Sequence, residues 1–97
     1  MKRKQNDIKL GEALTELMDT YELSAKLNQI KVVEAWGKVL GKVIEKHTER
    51  IWVKNSQLFV KLDSAALKNE LMYSKTKIVD SLNQFVSVQV ITEVVFI

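Results

Sequence analysis

The stretch RIWVKNSQLFVKLDSAALKNEL, residues 50–71, decides the fold, because two alternating runs meet at Asn55-Ser56 and the second continues into a helix start. Asn accepts the positive φ that a two-residue hairpin turn requires, so the turn is expected at Asn55-Ser56. Counting outward from this turn gives the register of the two strands. The expected pairs are Lys54 with Gln57, Val53 with Leu58, Trp52 with Phe59, Ile51 with Val60, and Arg50 with Lys61.

The two faces of this hairpin differ in chemistry. One face is apolar and is expected to pack on the core; it carries Ile51, Val53, Leu58, Val60 and Leu62. The other face holds an aromatic pair among cations: Arg50, Trp52, Lys54, Phe59 and Lys61. Single-strand binding proteins combine rings that stack on bases with cations that hold the phosphate backbone. The second face is therefore a candidate nucleic-acid-binding surface, and the alternative is that the N-terminal arm, a partner or a second subunit covers it.

Composition places the chain among small globular domains. It has 97 residues, of which 46% are hydrophobic and 28% charged, and it contains no Cys, which fits a reducing compartment. No run approaches the ~18 apolar residues of a membrane span, and the start MKRKQND leads into no apolar signal core. We therefore expect a cytoplasmic protein that does not contact the membrane. The net charge of +3 is compatible with a polyanionic partner but does not require one.

The N-terminal half is predicted to be helical. Residues 1–6 are expected to form a basic flexible arm, and residues 7–97 a single domain. A first helix is predicted to begin at Asn6 or Asp7 and to end near Tyr21; Leu23 and Leu27 would fill the connection, and Ser24 would cap a further segment. Between residues 30 and 47 the apolar positions fall on one arc of a helix, with lysines on the adjacent arc. Of these lysines, Lys38, Lys42 and Lys46 are candidate phosphate contacts, and the alternative is an ordinary solvated face.

No residue pattern in this half indicates catalysis. Gly37 and Gly41 lie four residues apart, which predicts that the first helix crosses there, and they do not form a nucleotide-binding fingerprint. His47 is the only histidine, and its place near a predicted helix end favours a packed residue over a metal ligand. We expect a protein that is not an enzyme and that holds neither a cofactor nor a metal ion.

The C-terminal half is predicted to contain one long helix and a strand. Asp63 or Ser64 is expected to cap the helix, which would stop near Asn83. Its expected core stripe is Leu67, Leu71, Ile78, Leu82 and Phe85. The tail VSVQVITEVVFI alternates and predicts a third strand. The fold class is therefore α+β, with helices against one face of a three-stranded sheet.

Several short motifs, in this order and spacing, resemble the DciA family over residues from about Leu17 to Phe96. They are Trp36, Val39-Leu40-Gly41, His47-Thr48, Leu58-x-Val60, Ser64-Ala65-Ala66, Glu70-Leu71, Leu82-Asn83 and the closing apolar strand. The resemblance implies a KH-like α+β module that binds DNA and works with the bacterial replicative DNA helicase, helping to load it on single strands.

These observations together predict a non-enzymatic, nucleic-acid-binding adaptor of bacterial replication. Its expected partners are DNA or RNA and, by the family resemblance, the replicative helicase; the oligomeric state stays open. The alternative from a different class is a protein-interaction or homodimerisation module that uses the face of Trp52 and Phe59.

Overall fold

The computed structural model describes the backbone of residues 10–97, and the side chains of residue 17 and residues 19–97. The expected basic arm at residues 1–6, and the expected helix start at Asn6 or Asp7, lie outside the described residues. The elements are α1 (Leu10–Leu40), α2 (Lys42–Lys46), β1 (Thr48–Lys54), β2 (Gln57–Leu62), α3 (Ala65–Met72), α4 (Lys75–Val86) and β3 (Glu93–Phe96). The three strands form one mixed sheet in the order β1-β2-β3. The α+β class predicted from the sequence is confirmed.

The hairpin has the turn and the register that the sequence predicts. Asn55 and Ser56 adopt positive φ values of 53° and 61°, which are those of a turn that matches the twist of the two strands. All five expected pairs occur, from Arg50 with Lys61 to Lys54 with Gln57. The register shifts between Thr48 and Arg50, so Glu49 is the extra residue of a β-bulge at the start of β1.

The third strand is shorter than the alternating tail predicts. Only Glu93–Phe96 is a strand, and it pairs in parallel with β2, so that Val94 lies beside Leu58 and Phe96 beside Val60. Val86 belongs to α4 and Val88 is exposed, so the prediction that the strand occupies the whole tail is wrong before residue 93. The Asn83 side chain accepts hydrogen bonds from the backbone N–H groups of Val90 and Ile91 and donates to the Ile91 carbonyl.

Helix α1 is a single 31-residue helix, so the predicted end near Tyr21 and the predicted cap at Ser24 are wrong. The chain has no Gly or Pro between Gly11 and Gly37, and a Ser inside a run of good helix formers does not stop the helix. Leu23 and Leu27 are 60% and 50% exposed on this helix instead of filling a connection. In the described part of the chain, no helix is both long and apolar enough to cross a membrane.

Gly41 ends helix α1, and Gly37, one turn earlier in α1, lies beside Glu45 of α2. Gly41 has φ 99° and ψ 165°, a conformation open essentially to glycine, and it separates α1 from α2. At Gly37 an added Cβ would collide with the Glu45 carboxylate of α2. The predictions of one continuous helix over residues 30–47 and of a helix crossing at these glycines are therefore wrong.

The predicted long C-terminal helix is two helices. Ser64 caps α3 as expected, since its Oγ accepts a hydrogen bond of 3.3 Å from the Leu67 N–H. The chain breaks at Tyr73-Ser74, and α4 then continues to Val86, where Ser87 in the left-handed region ends it. Phe85 is 54% exposed, so its assignment to the core stripe is wrong.

The core lies between the helices and one face of the sheet. Its buried members come from α1, β2, α4 and the segment around β3: Val32, Ala35, Trp36, Leu58, Val60, Leu62, Ile78, Leu82, Ile91 and Val94. Trp36 is 2% exposed as predicted, and its Nε1 donates to the Thr48 Oγ1 at 2.9 Å. Leu71, also predicted to be buried, is only half-buried at the edge of this core. The opposite face of the sheet remains open in the part of the chain that the structure describes.

Candidate nucleic-acid interface

An apolar row crosses the open face of the sheet. Because Trp52 pairs with Phe59 and Phe59 with Val95, the row takes one side chain from each strand. The rings of Trp52 and Phe59 are nearly parallel, with an interplanar angle of 7° and centroids 5.3 Å apart. All three side chains are half-buried. The rings thus form an aromatic surface in which Phe59 partly covers one face of the Trp52 ring.

Arg50 completes this surface on strand β1. Its guanidinium carbon lies 4.8 Å from the centroid of the Trp52 ring, a cation–π distance. Arg50 and Lys54 both lie two residues from Trp52 and are exposed, since alternate residues of a strand share a face. The predicted grouping of two rings with Arg50 and Lys54 is therefore present on one face.

Lys61 has an acidic neighbour that lowers the net positive charge of this part of the face. Its Nζ lies 3.6 Å from the Glu49 carboxylate, and both side chains are about half exposed. Glu93, at the start of β3, accepts a hydrogen bond of 2.9 Å from the Gln57 side chain. The open face is therefore basic along β1 and carries an acidic group on β3, so an anion meets more favourable charge beside β1.

The three candidate lysines outside the sheet do not lie on one helix. Lys38 is in the last turn of α1, whereas Lys42 and Lys46 lie on α2, beyond the break at Gly41; all three are exposed. Lys38 shares a shallow cavity of about 230 Å³ with the exposed Phe85. The uninterrupted lysine stripe expected from 100° periodicity is absent because the helix is broken.

His47 caps α2 and pairs with an acid. Its backbone N–H donates to the carbonyls of Val43 and Ile44, and its Nδ1 lies 2.7 Å from the Asp63 Oδ1. Both side chains are 42% exposed. In the described ranges, no group of three or more His, Asp or Glu residues lies close enough to hold a metal ion.

Reasoning from the sequence missed three members of the open face, which are Val95, Glu49 and Glu93. Val95 extends the apolar row onto β3. The alternation of the tail already places Val95 on the face opposite Val94 and Phe96, but only the parallel pairing with β2 places it beside Phe59. Glu49 faces Lys61 because of the bulge, and simple alternation does not predict a bulge.

The fold and the open face define a small α+β domain with a mixed sheet whose uncovered side is aromatic and basic. The chain belongs to the family described as "Dna[CI] antecedent, DciA", whose family model matches residues 9–96, nearly its whole length. The resemblance noted on the sequence motifs is thereby confirmed, and this family is associated with the replicative helicase. Comparison with curated proteins and with solved structures gave no match.

Proposed function

We propose that this chain is a non-enzymatic adaptor of bacterial DNA replication that binds single-stranded nucleic acid on its open sheet face and works with the replicative helicase. The observation that carries the proposal is the stacked pair of Trp52 and Phe59 with Arg50 over the indole ring. Family membership supports the link to the helicase, which would place the protein in the cytoplasm where that enzyme acts. Its part would be to hold a single strand near the helicase as the helicase is loaded.

Stacking on the rings would supply the binding energy, and the cations would fix the position of the strand through its phosphates. A base that stacks on Trp52 competes with Arg50 for the ring, and the displaced guanidinium is then free to contact a phosphate. Lys54 offers a second phosphate contact on the same strand, while Lys61 contributes less because Glu49 is 3.6 Å away. Since every base has a π-face, such a surface binds without much sequence preference and accepts DNA as well as RNA.

Lys38, Lys42 and Lys46 have a secondary role in this proposal. They lie at the end of α1 and on α2, which directly precedes β1, so a strand that leaves the open face past Arg50 passes toward them. The connection between α3 and α4 is Tyr73-Ser74 and has no Gly, so the proposal does not use a KH-type GxxG loop.

Salt dependence tests the phosphate contacts. Binding of fluorescent oligo-dT should weaken as salt rises, and each lost phosphate contact should reduce the slope of log K against log salt by about 0.7 for a single strand. We expect this reduction for Arg50→Gln and for Lys54→Gln. Lys77→Gln, which removes an exposed lysine of α4, is the matched control and should leave the slope unchanged.

A protein-interaction or homodimerisation module is the second candidate function. It is favoured by Val95 and by Ile97, which is 49% exposed and follows β3, and by the acidic Glu93, which an anionic strand would avoid. An apolar interface is nearly indifferent to salt. Two results together would establish this alternative. Oligo-dT would not bind, or would bind independently of salt, and Trp52→Ala would lose a protein partner.

A further inference from the structure

Strand β1 is an open edge of the sheet. The order β1-β2-β3 leaves one side of β1 without a strand in the part of the chain that the structure describes. A two-residue hairpin closes on a hydrogen-bonded pair, here Lys54 with Gln57, and such pairs alternate with non-bonded ones along the strands. The N–H and C=O groups of Ile51 and Val53 are therefore directed away from β2, toward this open side.

An apolar groove lies along the same edge. It has a volume of about 420 Å³, and its apolar walls are Ile30 and Val33 of α1 on one side and Ile51, Trp52 and Val53 on the other. The polar side chains of Lys26, Gln29 and Glu34 on α1 also line the groove. Ile30 is 54% exposed at its rim. An edge that offers outward backbone groups beside pockets for alternate side chains is the arrangement by which domains add a peptide as an extra strand.

The charges around the groove select among the possible occupants. Lys26 and Glu34 of α1 line the groove with opposite charges, whereas Arg50 and Lys54 add two positive charges on the open-face side of β1, so the facing positions of an added strand favour acidic residues. If the β1 strands of two copies paired antiparallel with Trp52 opposite Trp52, Arg50 of each copy would lie opposite Lys54 of the other. These like charges would repel each other, and each chain carries a net charge of +3. The acidic partner strand is therefore favoured over a second copy.

We infer that the groove between α1 and the edge of β1 binds an extended segment of a partner protein, in which apolar residues alternate with acidic ones. The apolar residues enter the groove between Ile30, Val33 and the inward side chains of Ile51 and Val53. The acidic residues lie on the open face beside Arg50 and Lys54. The backbone of the segment extends the sheet to four strands. This inference does not rest on nucleic-acid binding, although a bound segment would lie next to Trp52.

The test uses synthetic peptides and the whole chain. The probe is the capped peptide Glu-Ile-Glu-Val-Glu-Ile, and its control has the same composition in the order Ile-Val-Ile-Glu-Glu-Glu. NMR should show that the alternating peptide binds, and that it slows hydrogen exchange of the Ile51 and Val53 amides. Ile30→Glu should weaken this binding at least tenfold. Val43→Glu replaces an apolar residue that is 66% exposed on α2 and should leave binding unchanged.

Four results would each overturn the inference. They are absence of binding by the alternating peptide, equal binding of the block-order control, unchanged affinity of Ile30→Glu, and unchanged exchange at Ile51 and Val53. Two further results would give the edge another occupant and would equally overturn it. If the free chain formed a dimer and Ile30→Glu dissociated it, the edge would belong to a second copy. If oligo-dT slowed hydrogen exchange of the Ile51 and Val53 amides, the edge would belong to nucleic acid.

Discussion

Trp52 and Phe59 lie opposite each other on strands β1 and β2 with their ring planes within 7° and their centroids 5.3 Å apart. The contact orders both rings before any ligand arrives, so a planar group that stacks there does not have to immobilise them. In the proposed function, the binding of a base would therefore require the Arg50 guanidinium, and not the two rings, to move.

Trp36→Ala should destabilise the domain by about 3 to 5 kcal/mol, because it leaves a large cavity in the core. The ring is 2% exposed, lies 6.3 Å from Phe96 between centroids, and its Nε1 donates to Thr48. Denaturant unfolding measures the loss. Tyr73→Ala removes an aromatic side chain that is 92% exposed and should change stability by less than about 0.5 kcal/mol. Equal stability of the two variants would show that Trp36 does not belong to the core.

The two glycines at the end of α1 should respond oppositely to alanine. Gly41→Ala forces a Cβ into a backbone conformation with φ 99° and should cost about 1 to 3 kcal/mol. At Gly37 the added Cβ meets only the end of the flexible Glu45 side chain, which can move away. Gly37→Ala should therefore be neutral or stabilise the helix by up to about 1 kcal/mol. Thermal unfolding of the pair checks this, and a greater loss at Gly37 would contradict the assigned helix break.

Asn83→Ala should loosen the segment that leads into β3. Its side chain bonds the backbone of Val90 and Ile91 at distances of 2.8 to 3.2 Å, and removal leaves those groups without partners. We expect a loss of about 1 to 3 kcal/mol and faster amide exchange at Val90 and Ile91. Gln84→Ala is the control, because Gln84 is its exposed neighbour on α4. Unchanged amide exchange at Val90 and Ile91 in Asn83→Ala would show that the Asn83 side chain does not hold this segment.

Replacing Lys38, Lys42 and Lys46 together by Gln should weaken oligonucleotide binding uniformly across sequences and flatten its salt slope. Because the break at Gly41 separates Lys38 from the other two, the single variants should differ. Fluorescence anisotropy at several salt concentrations gives the slopes. A triple variant with the parental slope would exclude these lysines from the phosphate-binding surface.

The hairpin was predictable because its determinants are local. Asn55-Ser56 sets the turn, the turn sets the register, and the alternation beside it assigns Trp52 and Phe59 to one face. The cap at Ser64 is equally local, since its Oγ bonds an N–H three residues away. Where the chemistry of a few adjacent residues determines the conformation, sequence and structure agree.

The remaining features depend on contacts that sequence patterns do not contain. Periodicity continues through Gly41 and through Tyr73-Ser74, although the backbone breaks at both places. The ion pair of Lys61 depends on a bulge that brings Glu49 to it. The parallel pairing of β3 is likewise a tertiary result, since α3 and α4 carry the chain across the sheet between β2 and β3.

The most direct test of nucleic-acid binding on the open face is titration of the chain and of Trp52→Ala with single-stranded oligo-dT, followed by anisotropy and by tryptophan fluorescence. Since stacking contributes roughly 1 to 3 kcal/mol per base, Trp52→Ala should weaken binding about 5-fold to over 100-fold while its circular dichroism stays that of a folded domain. Tyr73→Ala should bind like the parent. Trp36 is buried, so quenching by oligo-dT should come from Trp52 and disappear in the variant. If Trp52→Ala binds oligo-dT as tightly as the parent and is still quenched, the aromatic pair does not bind bases.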